Sequence, residues 1–164
     1  MIPHIKIRTA SIHNAKILAN IIRASHMDVA QKFNLTLENC PKHPSNCAAD
    51  WIEKDFKRGV KYYIFEHSGL AKGCIALEHA NADVCYIERL SVLREYRSNG
   101  FGRKLVDHAI DTAKDLGAKE ISIGTIAEFT QLNEWYKKIG FIEGEIKQFD
   151  HLPFQVLLMR YNLI

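Results

Sequence analysis

The residues best suited to chemistry are grouped around one short loop that holds Arg97, Gly100 and Gly102. An apolar, β-branched run from Val84 to Val92 precedes the loop and predicts a buried strand. Apolar residues then recur at helical spacing from Phe101 to Leu116, which predicts an amphipathic helix. A loop at a helix N-terminus leaves backbone N–H groups free at the positive end of the helix dipole, and glycines keep them accessible. We therefore predict an anion site here, and the ligand we expect is a pyrophosphate.

Two common phosphate-binding patterns do not fit this loop. A P-loop needs Lys followed by Ser or Thr after its second glycine, whereas Arg103 and Lys104 follow Gly102. A dinucleotide fingerprint needs three glycines, and only Gly100 and Gly102 are present. The pattern that fits is Arg/Gln-x-x-Gly-x-Gly/Ala, and it resembles the pyrophosphate loop of the GNAT acyl-CoA N-acyltransferases.

A second motif, nearer the C-terminus, strengthens this resemblance. The run from Leu132 to Phe141 resembles the Tyr-x-x-x-Gly-Phe segment that closes the last core helix in the family. The two motifs occur in the family's order, and the resemblance extends from the strand at Ile5 to the strand at Tyr161. It implies a mixed, mostly antiparallel, twisted α/β sheet of about seven strands, flanked by about four helices and splayed between its two central strands.

Patterning along the chain agrees with one domain over residues 1–164, without repeats or linkers. A polar segment from Asn34 to Asn46, with two prolines, predicts a long loop that forms a wall over a site. A helix break is expected near Ser25. We predict strands at 5–8, 60–66, 70–77, 84–92, 121–125, 141–149 and 154–161, and helices at 12–32, 47–58, 101–116 and 129–139.

Composition limits the classes of partner. The 164 residues are 47% apolar and 25% charged, with a net charge of +3 that is spread out, so we expect no nucleic-acid partner. No apolar run reaches the length of a membrane span, so we expect no membrane partner. Without an apolar leader at the N-terminus, we expect a cytoplasmic protein whose four cysteines stay reduced.

The resemblance implies acetyl-CoA as co-substrate, lying between the strand before the loop and the strand after the helix. Carried over to this sequence, backbone groups of Leu90, Ser91 and Val92 pair with the pantetheine arm like an added strand. Backbone N–H groups of the loop and first helical turn hold the pyrophosphate, and these belong to Arg97, Ser98, Asn99, Gly100, Phe101, Gly102, Arg103 and Lys104. The side chains of Arg103 and Lys104 add positive charge.

The resemblance also implies a catalytic acid. Tyr136 matches the family's general acid, which protonates the leaving thiolate. A phenol has a pKa near 10 and a thiol near 8.5, so this proton transfer is uphill by about 2 kcal/mol. The amine must lose a proton before attack, and Glu88 is our candidate for the base or water-orienting group. Glu88 shares strand parity with Leu90 and Val92, so alternation predicts that it faces the same cleft.

Several alternatives stay open at this point. Tyr136 could be structural, and Glu88 could be an ion-pair partner of Arg89 or Arg94. Many family members carry a cofactor-binding asparagine where this chain has Phe129, and Thr130 could replace it. Cys40, His43 and Cys47 are spaced like metal ligands but lack a fourth ligand, so we expect no metal. His43 and Trp51 could line an acceptor pocket. Alternatively, His43 is a solvated loop residue and Trp51 a core residue.

The predicted function is acetyl-CoA-dependent N-acetyl transfer directly onto a primary amine. No obvious nucleophile–base pair is present, so we expect no covalent acyl-enzyme. The polarity of residues 34–46 favours a small polar amine as acceptor. The alternatives are a non-catalytic acyl-CoA-binding sensor and a protein N-terminal or lysine acetyltransferase. A homodimer and a longer acyl group both remain open.

Overall fold

The computed structural model describes residues 4–164 and consists of seven strands and four α-helices. The strands are β1 (Ile5–Thr9), β2 (Lys61–His67), β3 (Leu70–His79), β4 (Val84–Val92), β5 (Glu120–Ile126), β6 (Ile142–Gln148) and β7 (Gln155–Asn162). The helices are α1 (Ala15–Lys32), α2 (Ala49–Lys57), α3 (Phe101–Asp115) and α4 (Thr130–Ile139). The predicted mixed, mostly antiparallel sheet is confirmed, with strand order β1-β2-β3-β4-β5-β7-β6.

The two faces of the sheet are covered by different helix pairs. Helices α1 and α2 pack on one face, against residues such as Cys74 and Ala76 of β3. Helices α3 and α4 pack on the other face, against Ile75 and Leu77 of the same strand. Because successive side chains of β3 point to opposite faces of the sheet, this strand contributes to two separate cores. Over residues 4–164, no helix is long and apolar enough to cross a membrane.

Helix α1 begins three residues later than the sequence predicted and is continuous. A 3₁₀ turn at Ile12–Asn14 precedes it, and the helix then runs without interruption to Lys32. The break expected near Ser25 is wrong. Ser25 is buried on the inner side of the helix, and its carbonyl oxygen accepts a hydrogen bond from Arg97. Packing of this turn overrides the modest helix propensity of serine.

The splay between the central strands is confirmed. Strands β4 and β5 are parallel and pair only at their beginnings, through Val84 with Glu120, Cys85 with Ile121, and Tyr86 with Ser122. Beyond these pairs the strands diverge, while β4 stays paired with β3 and β5 with β7. A wedge therefore opens in the sheet, flanked on both sides by strand edges without a partner.

A β-bulge in β4 determines how side chains face this wedge. Ser91 lies opposite Cys74 and Glu88 opposite Ala76, so Arg89 and Leu90 together face one residue of β3. Arg89 adopts a φ of 54°, in the left-handed region. Opposite the bulge, the backbone of Gly73 in β3 lies so close to β4 that a Cβ on Gly73 would be 2.6 Å from the Ser91 carbonyl oxygen. An inserted residue of this kind reverses the alternation of the strand.

The bulge corrects the parity argument made for Glu88. Before the bulge, Glu88 lies on the face of Ala76, beneath α1 and α2. After it, Leu90 and Val92 pack against the core on the face of α3 and α4. Glu88 therefore does not share a face with Leu90 and Val92, and the inference from simple alternation is wrong.

Candidate active site

A cavity of about 810 Å³ fills the wedge between β4 and β5 and extends to both faces of the sheet. Glu88 and Tyr136 both line it, although they come from different faces. The predicted strand residues Leu90, Ser91 and Val92 also line it. From the predicted loop, the lining residues are Arg97, Ser98, Gly100, Phe101, Gly102 and Arg103, whereas Asn99 and Lys104 do not line the cavity.

The loop before α3 presents a row of free backbone N–H groups. Within residues 4–164, the N–H groups from Ser98 to Arg103 have no hydrogen-bond acceptor. The row ends where Arg97 N–H donates to the Arg94 carbonyl (3.2 Å) and Lys104 N–H to the Gly100 carbonyl (3.1 Å). Two members of the predicted set, Arg97 and Lys104, are therefore not free, because their N–H groups already donate within the chain.

Gly100 gives this loop its shape. Its φ of 80° lies in the left-handed region, where side-chain-bearing residues are strained, and it turns the chain directly into α3. No atom outside its immediate chain neighbours lies within 4 Å of a Cβ built on Gly100. The turn thus leaves open space in front of the free amides, and an anion can approach them.

The Arg97 side chain ties the loop to α1. Its guanidinium donates to the Val92 carbonyl (3.0 Å), the Asp28 carboxylate (2.6 Å) and the Ser25 carbonyl (2.6 Å). These bonds use all three nitrogens of the guanidinium, so Arg97 holds the loop in place. Of the neighbouring cations, Arg103 pairs with Asp107 at 3.0 Å along the exposed face of α3.

Glu88 has the electrostatics of a group that exchanges protons near neutral pH. Burial and, next, the nearby carboxylate of Glu78 raise the pKa of Glu88 to about 7, while Arg89 opposes them. Among the described residues, Glu88 forms no ion pair with Arg89 or Arg94. Arg89 pairs with Asp55 instead, so the ion-pair alternative for Glu88 is not the one the structure adopts.

A buried polar network holds Arg89 in its unusual conformation. The Asp55 carboxylate accepts hydrogen bonds from Arg89 (2.7 Å), Tyr62 (2.5 Å) and Arg58 (2.9 Å). Arg58 also donates to Glu78 at 2.6 Å, which fixes the carboxylate beside Glu88. The network therefore supports both the bulge and the charge environment of Glu88.

Tyr136 lies in the α3/α4 core with its hydroxyl at the cavity. Its ring contacts Phe141 in an edge-on arrangement with ring centroids 5.3 Å apart. Burial raises the pKa of Tyr136, so the phenol stays protonated at physiological pH. No hydrogen bond to another residue of the described chain occupies the hydroxyl, which leaves its proton available to a ligand.

Two histidines line the cavity, and His26 was not predicted as a site residue. His26 Nε2 lies 3.2 Å from both the Leu90 carbonyl oxygen and the Ser91 hydroxyl, and burial lowers its pKa to about 4. His43 is also buried and lines the cavity, with Nδ1 2.7 Å from the Ser45 hydroxyl. Of the two alternatives for His43, the structure therefore adopts the cavity-lining residue and not the solvated one. In the sequence, the only sign of His26 is a polar residue beside the apolar stripe of α1.

The departures from the family pattern also have a place in the structure. Phe129 lines the cavity, and its ring packs 5.5 Å from the ring of Phe33. Thr130, the predicted substitute for the missing asparagine, does not line the cavity. Trp51 does not line it either and packs against the α1/α2 core. Across residues 4–164, no cluster of His, Cys, Asp and Glu could hold a metal ion.

Comparison with known proteins identifies the class to which this arrangement belongs. The sequence profile of the Acetyltransferase (GNAT) family matches residues 28–141. The chain therefore belongs to the GNAT acetyltransferase family, as the two motifs indicated.

Sequence relatives match only in part. An amino-acid acetyltransferase of Neisseria meningitidis is 34% identical over 82 residues, which are 49% of this chain and 18% of that protein. The N-acetyltransferase YvbK of Bacillus subtilis is 32% identical over 102 residues, 62% of this chain and 63% of that protein. The chain thus spans less than two thirds of the length of either relative.

Solved structures match over almost the whole chain. The PaiA N-acetyltransferase of Thermoplasma acidophilum, in complex with coenzyme A, has a TM-score of 0.79 at 18% identity and covers 97% of this chain and 99% of its own. The acetyltransferase YncA of Salmonella typhimurium, with acetyl-CoA, has a TM-score of 0.73 at 16% identity and covers 98% and 95%. At these identities the likeness establishes the fold.

Proposed function

We propose that the protein is an N-acetyltransferase that moves an acetyl group from acetyl-CoA directly onto the primary amine of a small molecule. The observation that carries this proposal is the row of free N–H groups from Ser98 to Arg103, which opens into the wedge between β4 and β5. Family membership supports it, and so do relatives named as an amino-acid acetyltransferase and an N-acetyltransferase. Two fold neighbours were solved with coenzyme A or acetyl-CoA.

Two parts of the wedge bind different parts of the coenzyme. The amides at the start of α3 hold the pyrophosphate, because free N–H groups and the helix dipole both favour an anion. The unpaired edge of β4 at Leu90, Ser91 and Val92 pairs with the amide groups of the pantetheine arm, as an added strand would. Arg97 takes no direct part and positions the loop through Val92 and α1.

The chemistry follows from the two protonatable groups on opposite sides of the wedge. The amine nitrogen attacks the thioester carbonyl carbon, the C–S bond breaks, and the thiolate leaves. Glu88 accepts the proton that the amine loses, directly or through a water, and Tyr136 donates a proton to the thiolate. Most of the rate enhancement comes from positioning the two substrates, with polarisation of the thioester carbonyl by a backbone donor at the bulge near Leu90.

A small acceptor fits the cavity better than a protein chain. The segment from Asn34 to Asn46 folds back against the cavity, so that His43 and Pro44 form part of its wall. His43 and Pro44 of this segment line the same cavity as Glu88. An acceptor must therefore fit between the segment and the β4 edge.

The substitution Gly100→Asp tests the coenzyme site. A carboxylate at this position accepts hydrogen bonds from the amides that follow it and repels the pyrophosphate, so we expect acetyl-CoA binding to be lost in isothermal titration calorimetry. Gly59→Asp is the matched control, because Gly59 also has a positive φ and open space but lies after α2, away from the cavity. Acetyl-CoA titrating Gly100→Asp with wild-type affinity would refute the proposal.

A further inference from the structure

A third apolar cluster, separate from the two cores, lies at the rim of the cavity. Its buried members include Ala30 and Ile126, and several partly buried side chains pack around them. The members that also line the cavity come from α1, the end of β5, the start of α4 and the connection between β6 and β7. They are Val29, Ile126, Phe129, Leu152 and Phe154, and we call them the apolar wall.

The apolar wall and Glu88 line the same cavity. The free amides lie in the loop before α3 and in its first turn, and α3 covers one face of the sheet, so the coenzyme's pyrophosphate enters there. Val29 belongs to α1, which covers the opposite face, and Glu88 lies on that face as well. At Val29 the apolar wall therefore reaches the face of the sheet on which Glu88 lies.

The cations that line the cavity are already neutralised. Arg89 pairs with Asp55 at 2.7 Å, and Arg97 pairs with Asp28 at 2.6 Å. Arg103 belongs to the coenzyme loop and pairs with Asp107. Among the lining residues described, each arginine already has a carboxylate partner, and none is a lysine. Lys32 Nζ stands 4.8 Å from the centre of the Phe129 ring but does not line the cavity.

The two histidines do not supply a positive charge either. Burial lowers the pKa of His26 to about 4, and burial also lowers the pKa of His43. Both rings are neutral at pH 7. Burying a carboxylate against the apolar wall without a cationic partner is costly.

Building on the proposed acetyl transfer, we propose that the natural acceptor is a primary amine that carries an apolar aromatic or branched substituent and no carboxylate. The amine nitrogen lies at Glu88, and the substituent packs on the apolar wall. The composition of residues 34–46 favoured a polar amine, but the side chains that face the cavity come largely from other segments. This acceptor class also differs from the amino acids named for the Neisseria relative.

Three amines test the proposal in an assay that follows release of the coenzyme A thiol from acetyl-CoA. Phenethylamine has the amine and the apolar group, phenylalanine adds a carboxylate to it, and ethanolamine lacks the apolar group. We expect kcat/KM for phenethylamine to exceed each of the other two by about ten-fold or more, the usual gain from filling an apolar pocket.

Matched variants locate the effect on the apolar wall. Phe154→Ser should lower kcat/KM for phenethylamine by about ten-fold, leave ethanolamine unchanged and leave the KM for acetyl-CoA unchanged. Phe149→Ser makes the same chemical change in the same β6–β7 connection, but Phe149 does not line the cavity, so it should behave as wild type.

The outcomes separate this inference from the proposed function. Thiol release that is as fast with ethanolamine or phenylalanine overturns the acceptor class alone and leaves acetyl transfer standing. No release with any amine, while acetyl-CoA still binds, overturns both and favours a non-catalytic sensor. A preference for hexanoyl-CoA over acetyl-CoA that Phe154→Ser abolishes would assign the apolar wall to the acyl group and overturn the inference.

Discussion

Replacing Glu88 by glutamine is the sharpest test of the acid–base chemistry. The carboxylate of Glu88 can accept a proton only in its ionised form, and burial, with Glu78 beside it, raises its pKa to about 7. Below pH 7 the ionised fraction falls, so wild-type kcat/KM should fall about ten-fold for each further pH unit under pH 6. At pH 8 the group is mostly ionised, and general-base catalysis of this kind contributes about 10²- to 10⁴-fold.

The assay is the pH profile of kcat/KM for one amine, measured by thiol release. Glu88→Gln should lose about a hundred-fold or more at pH 8 and should no longer show the acidic limb that begins near pH 7. Ionisation of the amine affects wild type and variant equally, so the difference between the two profiles isolates Glu88. Glu78→Gln should move the limb to lower pH, because removing the neighbouring negative charge lowers the pKa of Glu88.

A matched control and a refuting result complete this test. Glu145→Gln removes an exposed carboxylate on β6, outside the cavity, and should leave the profile unchanged. If Glu88→Gln keeps the wild-type limb at the same pH, another group titrates there. The assignment of Glu88 as the proton acceptor would then be abandoned.

Two further predictions concern the thiolate and the bulge. Tyr136→Phe should lower kcat by about a hundred-fold with an unchanged acetyl-CoA affinity, since only the proton donor is lost; an unchanged kcat would remove Tyr136 as the acid. Gly73→Ala should lower the free energy of unfolding by about 1–3 kcal/mol, because its Cβ would lie 2.6 Å from the Ser91 carbonyl oxygen, a backbone atom that cannot easily move. Gly102→Ala is the control, because its Cβ would make ordinary contacts of 3.6 Å with Trp135, and its melting temperature should be at least that of wild type. Equal melting temperatures for the two alanine variants would contradict the strain at Gly73.

Local patterns were sufficient to predict the strand–loop–helix unit at the centre of the site. The apolar run predicted β4 from Val84 to Val92, and the helical spacing predicted a helix beginning at Phe101, as the structure shows. Both signals depend on residues within a few positions of each other. The family resemblance then supplied the mixed, mostly antiparallel sheet and the splay, which periodicity alone does not determine.

Features that depend on distant contacts were not predicted. The bulge at Arg89 and Leu90 arises from the register between β3 and β4 and from the Asp55 network, and no local pattern in β4 indicates it. The one sequence feature that could have suggested it is Gly73, a glycine within an apolar strand. For the same reason, alternation placed Glu88 on the wrong face relative to Leu90.

The acceptor side was the least predictable part of the cavity. The polar composition of residues 34–46 suggested a polar wall, but that segment turns His43 inward and packs Cys40 into the third apolar cluster. The apolar wall itself combines residues more than a hundred positions apart, such as Val29 and Phe154. Sequence periodicity cannot show that such residues meet.

The wedge also affects the tendency of this protein to aggregate through unpaired strand edges. Past Tyr86 and Ser122 the sheet carries two interior borders with unused backbone hydrogen-bonding groups, the feature that makes many β-proteins prone to aggregation. Here the two borders face each other across the cavity, with helices packed on both faces of the sheet, so neither border lies at the outer edge where a foreign sheet would add a strand. The amide groups of an extended ligand in the cavity would satisfy one border in place of a strand.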